Sequence, residues 1–348
     1  MSQGIVRALV LGGSGHIGNA VVRELLACGA KVTVTSRRAE PTPNLQELDI
    51  DFVRVRGEIP HKAGDLVRGH DLVVDAAAPY PLRIFDRDRP CGMNPMDYAA
   101  CRSEALIAAA RRARSRLAVV GSFTTLPRPG RLAERIEAGL LDRLHPYFEV
   151  KRAIDTSVLG AARRGLQGLV ISPTAVLGPW DGKDRDLCFL PLTLNGRLPF
   201  ASTRVINVID VREVATGLVR AVLNGRFGAR LPLCGHNLRL CELTREACAL
   251  AGVRPPPLYG STRCAAGLAL WGEAGWGALG LNSPVPSLPS LLARYSYPMT
   301  PGPAQQQLGI VPRPLLETLR DAINWYASVG YLEPARTLDS GAAPTPSA

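Results

Sequence analysis

Apolar residues along the first half of the chain come in short bursts, and between the bursts they recur at helical spacing. Ala8-Leu9-Val10-Leu11 is one such burst and it stops at Gly12; Ile17, Val21, Leu25 and Cys28 then follow at intervals of three or four until Gly29. A brief apolar run bounded by glycine predicts a buried strand, and the period after it predicts a helix with one covered face. The rhythm repeats. Strands are expected over 31–36, 52–57, 71–75, 117–122 and 169–173, and helices over 96–113 and 145–164, the latter stopped by Gly165. Strands alternating with helices in this way predict an α/β, Rossmann-type doubly wound parallel sheet with helices on both faces.

The pattern loosens after Gly178-Pro179, where proline becomes frequent. Residues 1–178 are therefore expected to form the sheet domain and 179–334 a smaller C-terminal lobe, with 203–226 returning to the first. The small, polar tail over 335–348 is expected to be disordered. Asn207 to Glu213 reads as the start of a helix, with Asp210 as its cap and Glu213 three residues on. Residues 258–300 are apolar, rich in glycine and proline, and resist assignment. The two apolar runs flanking Glu273 are each about eight residues, well short of the roughly twenty that a membrane span needs. Leu315, Leu319, Ile323 and Tyr326 fall on one face of a last helix.

The glycines after the first strand have separate physical tasks. Gly12 permits a sharp turn, Gly15 lets a pyrophosphate approach the backbone, and Gly18 lets the helix lie close on the sheet. Ser14, His16 and Ile17 complete this cradle, in which free N–H groups and the positive end of the helix dipole meet phosphate. The second strand ends in Ser36-Arg37, where an acidic residue would otherwise grip the ribose hydroxyls of a dinucleotide. A hydroxyl and a guanidinium suit a 2′-phosphate instead, which slightly favours NADP over NAD. Glu58, after the third strand, is within reach of an adenine. Ala76-Ala77-Ala78 offers small side chains for backbone to lie along a cofactor, and Pro173 closes the sixth strand at the same edge of the sheet.

Composition narrows the class of partner. The 348 residues carry a net charge of +11, almost all from scattered arginines, and only 5% are aromatic. That is a solvated surface attractive to anionic ligands, without the stacking platforms of a nucleic-acid binder. The eight cysteines contain no Cys-x-x-Cys pair and no histidine at metal-ligand spacing, so reduced core thiols and no metal are expected. The N-terminus has no basic-then-apolar leader, which points to the cytoplasm. No membrane span is expected, while peripheral membrane contact and a homodimer stay open.

Tyr147 and Lys151 are four apart on a predicted helix and so share a face. With eight tyrosines and four lysines in 348 residues, chance supplies such a pair only about one time in ten. A phenol of ordinary pKa near 10 exchanges protons poorly at neutral pH, and a neighbouring ammonium stabilises its phenolate. The same lysine can hold a nicotinamide ribose. Ser122, at the carboxyl end of a central strand, sits where open sheets bind ligands and can hold a substrate oxygen.

On these residues the chain resembles the extended short-chain dehydrogenase/reductases, the NAD-dependent epimerase/dehydratase family that includes nucleotide-sugar epimerases, dihydroflavonol-type reductases and 3β-hydroxysteroid dehydrogenases. The resemblance rests on Gly12/Gly15/Gly18, Ala76–Ala78, Ser122, Tyr147/Lys151, Gly178-Pro179 and Val208-Ile209-Asp210-Val211, and on the 25-residue step from Ser122 to Tyr147. It implies Tyr147 as acid/base, Lys151 as its partner, Ser122 as the donor to the substrate oxygen, and NAD(P) as cofactor. Two departures stand out. The helix before the fifth strand usually carries an asparagine in the proton relay, but Tyr98-Ala99-Ala100-Cys101-Arg102 has none; Asn94 is the nearest, and water or Cys101 could substitute. The dehydratases' Asp-Glu pair is replaced by Phe123-Thr124-Thr125, against elimination chemistry. The expected function is an NAD(P)-dependent oxidoreductase that interconverts a ketone and a secondary alcohol. Its small-molecule substrate is expected to be hydrophobic, from the Trp-containing stretch 264–281. A nucleotide-sugar epimerase and a non-catalytic NADP-sensing regulator are the alternatives.

Overall fold

A computed structural model describes residues 6–56, 59–77, 81, 83–84, 92–128, 143, 145–198, 200–281, 283 and 286–333, the side chain of Asp186 excepted. The proposed adenine residue Glu58, Ala78 and the C-terminal tail lie outside these residues, as do most of the stretches 79–91 and 129–144.

Seven strands form one sheet: β1 (Arg7–Leu11), β2 (Lys31–Ser36), β3 (Ile50–Arg54), β4 (Leu72–Asp75), β5 (Arg116–Val120), β6 (Gly168–Pro173) and β10 (Arg230–Leu233). They lie in the order β10-β6-β5-β4-β1-β2-β3, every neighbouring pair parallel. The order reverses between β1 and β4, the switch point at which such sheets open a crevice at their carboxyl edge. Alternation along β1 sends Ala8 and Val10 to one face and Leu9 and Leu11 to the other. On the first face α1 (His16–Ala27) and α6 (Val211–Leu223) bury Val21, Leu25, Val214 and Leu218 against the sheet. On the second, α2 (Ile59–Val67), α3 (Pro95–Ala113) and α4 (Pro146–Arg163) bury Ala63, Leu106, Ile154 and Val158. Coverage on both sides explains why β4 and β6 read as almost unbroken apolar runs.

Beyond β6 the chain adds β7 (Ala175–Leu177), α5 (Phe189–Leu194), β8 (Phe200–Ser202), β9 (Val205–Asp210), β11 (His236–Arg239), α7 (Leu240–Ala251) and β12 (Leu258–Gly260). Strands β11-β9-β7 make a second sheet and β12-β8 a third. Four helices follow: α8 (Thr262–Ala278), α9 (Leu288–Tyr295), α10 (Pro303–Gln307) and α11 (Leu315–Ser328). Leu190, Ile206, Leu243, Leu319 and Tyr326 centre a further apolar cluster in this half of the chain.

Several elements depart from the sequence pattern. Residues 207–210, expected to open a helix, belong to β9, because the β-branched run Val-Ile-Asn-Val-Ile pairs with β7 on one side and β11 on the other. The helix begins only at Val211. Asp210 does cap it, accepting from Arg212 N at 2.8 Å, but Glu213 accepts from Arg313 N at 2.5 Å instead of closing a capping box. Strand β3 starts and ends earlier than the alternation over 52–57, its end fixed by the pairing of Arg54 with the last residue of β2. Strand β10 contains Pro232, a residue excluded from sheet interiors but tolerated here because β10 is an edge. The cysteines are not all in the core: Cys188, Cys234, Cys241 and Cys248 are buried, whereas Cys28 and Cys264 are exposed.

Helix α1 is seated by contact between backbones. A Cβ placed on Gly18 would lie 2.2 Å from Gly12 O and 3.1 Å from Gly13 Cα, and backbone atoms in a strand-turn-helix corner have nowhere to go. Gly18→Ala should therefore cost about 3 kcal/mol in a urea unfolding series. Gly160→Ala, in mid-helix α4 with only the far end of Arg164 near it, should be neutral or stabilise by up to about 1 kcal/mol.

Candidate active site

Strand β5 delivers Val120 to the carboxyl edge of the sheet, and Gly121 N still bonds Ile171 O at 2.7 Å. The chain then tightens into a 3₁₀ turn over Phe123–Thr125, with Ser122 as its cap. Ser122 Oγ accepts from Thr124 N at 3.2 Å and from Thr124 Oγ1 at 2.9 Å. Helix α4 begins with Pro146 in its first turn, and His145 caps it, Nδ1 accepting from Tyr147 N at 3.2 Å. This start aims Tyr147 at the serine: Tyr147 Oη donates to Ser122 Oγ at 3.0 Å. One turn along, Lys151 Nζ donates to Val120 O at 3.0 Å. All three side chains are buried.

Charge behind the lysine is dense. Burial pushes the Lys151 ammonium below its usual range and Arg102 acts in the same sense, while Asp155 and Asp75 oppose them. Asp155, one further turn along α4, accepts from Thr125 Oγ1 at 2.5 Å and pairs with Arg230 Nε at 3.2 Å. Burial pushes its carboxyl up, against Thr125, Arg230 and Lys151. At the end of β4 the fully buried Arg102 grips Asp75 with both terminal nitrogens, Nη2 to Oδ1 at 2.6 Å and Nη1 to Oδ2. Asp75 Oδ1 also accepts from Ala77 N at 3.0 Å, which shapes the small-residue segment Ala76-Ala77.

This pair was missed in the sequence, although a signal was there. Arg102 stands with Tyr98, Leu106 and Ala109 on the covered face of α3, and a charge on such a face needs a partner. Asn94 caps α3, accepting from Asp97 N at 2.9 Å and donating to Asp97 Oδ2 at 2.5 Å.

The glycine turn sits across the switch point. Gly12 has φ of +80°, and a Cβ on it would stand 2.7 Å from Ala77 Cβ. Gly15 N bonds Gly12 O at 2.9 Å, and a Cβ on Gly15 would meet nothing nearer than that oxygen at 3.3 Å, so its outer side is open. No side chain caps α1 and no acidic residue sits in its first turn. The N–H groups and the dipole there are unspent, which fits the pyrophosphate of a dinucleotide. Ser14 Oγ bonds Ser36 Oγ at 3.0 Å, tying the turn to the end of β2. Beside Ser36, Arg37, Arg38, Arg54 and Arg56 line one surface groove, and Arg38 also reaches Asp184 at 3.0 Å. Ile17 packs into the core against the first sheet face. Pro173 is buried beside Leu233 at the end of β6.

The segment after β7 closes over the glycine turn. A Cβ on Gly182 would fall 2.1 Å from Ser14 O, and Asn44 Nδ2 donates to both Ser14 O and Trp180 O, at 3.0 and 2.9 Å. Asp181 is the hub: it pairs with Lys183 Nζ at 3.1 Å, accepts from Tyr326 Oη at 3.2 Å, and lies 3.8 Å from His16 Nδ1. The side chain of His16 is thus buried toward Asp181, and that burial lowers its pKa. Burial alone would raise the Asp181 carboxyl, but Lys183, His16 and the bonds from Lys183 outweigh it and hold the group at about 2. Among the described residues no group of three His, Cys, Asp or Glu side chains could hold a metal ion.

The sequence pattern of the NAD dependent epimerase/dehydratase family matches residues 8–228, which contain the glycine turn, Asp75, Arg102, Ser122, Tyr147, Lys151 and Asp155. The chain is 26% identical over 338 residues to a Synechocystis sp. protein named as a dihydroflavonol 4-reductase, covering 93% of this chain and 95% of that one. It is likewise 26% identical to sterol demethylase protein B of Methylococcus capsulatus, covering 93% and 99%. Among solved structures, a nucleoside-diphosphate-sugar epimerase from Pseudomonas aeruginosa superposes with a TM-score of 0.71 at 26% identity, covering 94% of this chain and 99% of its own.

A carboxylate held at about 2 against an ordinary value near 3.9 contributes about 2 to 3 kcal/mol of stability at neutral pH. Because the folded pKa is depressed, that contribution is complete above about pH 4 and is lost as the pH falls through about 2. Asp181→Asn should destabilise the protein at pH 7 by about that amount and flatten the acid limb of its stability curve between about pH 4 and 2, read by urea unfolding.

Proposed function

The chain belongs to the NAD dependent epimerase/dehydratase family and is an NAD(P)-dependent enzyme, and within that family we propose that it interconverts a ketone and a secondary alcohol on an apolar small molecule, with Tyr147 as acid/base. The observation that carries this reading is the 3.0 Å bond from Tyr147 Oη to Ser122 Oγ, both side chains buried, with the buried Lys151 one helical turn along. Two hydroxyls this close converge on one point, where a carbonyl oxygen could take a hydrogen bond from each.

In this reading Ser122 orients the substrate oxygen and Tyr147 passes a proton to it, or takes one back in the reverse direction. Thr124 donates to Ser122 Oγ, which leaves the serine proton to point elsewhere, toward substrate. The Lys151 ammonium favours the phenolate of Tyr147. Its lowered pKa also makes it a readier proton partner at neutral pH than a solvated lysine. NAD(P), when bound, supplies or accepts the hydride. Gly12, Ser14, Gly15 and the first turn of α1 would hold its pyrophosphate, and Ala76-Ala77 would lie along it. Ser36 and Arg37, with Arg54 and Arg56 in the same groove, favour a 2′-phosphate and so NADP.

The apolar substrate is supported by what surrounds the phenol. Phe123, Leu126, Phe148, Leu291 and Tyr295 cluster with Tyr147, and Phe148 stacks on Tyr295 with ring centroids 5.1 Å apart. Two relatives carry names that speak of a dihydroflavonol and a sterol. The Pseudomonas structure favours a second reading, epimerisation of a nucleotide sugar, in which the same residues act but the cofactor is regenerated within each turnover.

Tyr147→Phe should lower turnover of apolar ketones by about a hundred- to ten-thousandfold, with cofactor binding unchanged, read as NADPH oxidation across a carbonyl panel. Near-native turnover in that variant overturns the assignment. Turnover of UDP-sugars without added cofactor, and none of ketones, selects the epimerase. Arg37→Ser should weaken NADPH binding by about tenfold or more and leave NADH nearly unaffected, because one guanidinium–phosphate bond is lost; equal effects on both would assign the arginine groove to solvent.

A further inference from the structure

Helix α8 (Thr262–Ala278) is apolar on both sides, and only one side is covered. Ala266 and Leu270 pack into the cluster around Tyr147 and Phe123. The opposite stripe, and the turn that leaves the helix, hold Leu268, Trp271, Trp276, Leu279 and Leu281, which are 75%, 81%, 41%, 75% and 53% exposed. Cys264, Leu268, Trp271 and Gly275 fall at intervals of four, three and four, so the stripe runs straight along the helix. A helix apolar all round belongs in a core or against a second apolar phase. Scattered exposed apolar residues need no explanation, but a contiguous stripe with two tryptophans does.

Charge decides what covers it. Between Cys264 and Ala293 the chain has a single charged residue, Glu273. That carboxylate is buried and committed: Oε1 accepts from Ser287 N at 2.6 Å and Oε2 from Ile84 N at 2.9 Å. The face therefore carries no charge of its own, while the chain as a whole carries +11. A second copy of so basic a chain is repelled at long range, whereas an anionic lipid surface is attractive. Tryptophans at the edge of an apolar stripe suit the headgroup boundary. No helix among the described residues is long and apolar enough to cross a membrane, so contact would be in the plane.

We propose that the outer face of α8 docks the protein flat on an anionic lipid bilayer. The bilayer and the Tyr147 cluster then lie against opposite faces of one helix. Delivery of an apolar substrate from the lipid rests on the function proposed above; the docking itself does not.

Co-sedimentation of the full chain with vesicles of phosphatidylcholine, with and without phosphatidylglycerol, tests the docking with no substrate present, so its result is independent of the catalytic assignment. The expected result is binding to the phosphatidylglycerol vesicles that weakens with salt, with a blue shift of tryptophan emission. A Leu268→Glu/Trp271→Glu variant should partition about tenfold or more weakly with an unchanged melting temperature, since both side chains are in solvent. No binding to anionic vesicles, equal binding to neutral ones, or equal binding by the variant each overturns the proposal. So does a concentration-dependent dimer, seen by sedimentation velocity, that the double substitution dissolves, because that result gives the face to a second copy.

Discussion

The absence of side-chain volume at one corner of the chain constrains everything else. Between β1 and α1, the carbonyl of Gly12 lies where a Cβ of Gly18 would be, and Gly12 itself leaves no room between its Cα and Ala77. The segment after β7 approaches as closely, with Gly182 against Ser14 O. Three separate pieces of chain thus meet through bare backbone. The consequence is chemical as well as steric. A helix whose first turn has neither side-chain cap nor acidic residue presents its N–H groups to whatever anion enters, and the corner holds that turn at the switch point of the sheet.

Around this corner the protein buries more charge than a core of this kind needs for stability. Lys151, Asp155, Asp75 and Arg102, two charges of each sign, are all buried near the carboxyl ends of β4 and β5. Buried ion pairs seldom stabilise a fold over apolar packing of the same shape. Their value lies in fixing where groups point: Asp75 orders Ala77 through its backbone N–H, and Asp155 holds Thr125, which in turn bonds Ser122 O at 2.9 Å. Asp75 and Arg102 also act on the Lys151 ammonium through space, in opposite senses.

The sheet was legible because parallel strands buried on both faces cannot hide their apolar runs, and β2 and β6 were bounded by residues that end strands. The Tyr-x-x-x-Lys spacing and the glycine triplet were legible because each is local: one helix turn, one corner. What the sequence concealed is non-local. Arg230 reaches Asp155 from a strand more than sixty residues later, and β10 itself is short and carries a proline that only an edge position permits. Residues 207–210 read as the opening of a helix because a capping signal at Asp210 sits at the junction of a strand and a helix and marks the helix start equally well for either reading of what precedes it. Asp181 has one local partner, Lys183, but His16 and Tyr326, which complete its role, come from the two ends of the chain.

The elements beyond β6 meet the rest of the chain and one another along two seams of different chemistry. On the side of the glycine turn, Asp181 binds Tyr326 and Trp325 Nε1 reaches Asp181 O at 3.2 Å. Thr318 bonds Asp210 at 2.7 Å, and Arg212 bridges Asp210 and Asp321. These bonds join α11 both to the cap of α6 and to the segment over the turn, and parting them would expose unpaired buried charge, which costs several kcal/mol. On the other side α8 and α9 rest on the Tyr147 cluster mainly through apolar contact, with the Tyr295 Oη to Thr124 O bond at 2.9 Å. Apolar faces slide and reseat without stranding a charge. The two seams therefore differ in what parting them would cost: the first would strand buried charge, the second would expose apolar surface.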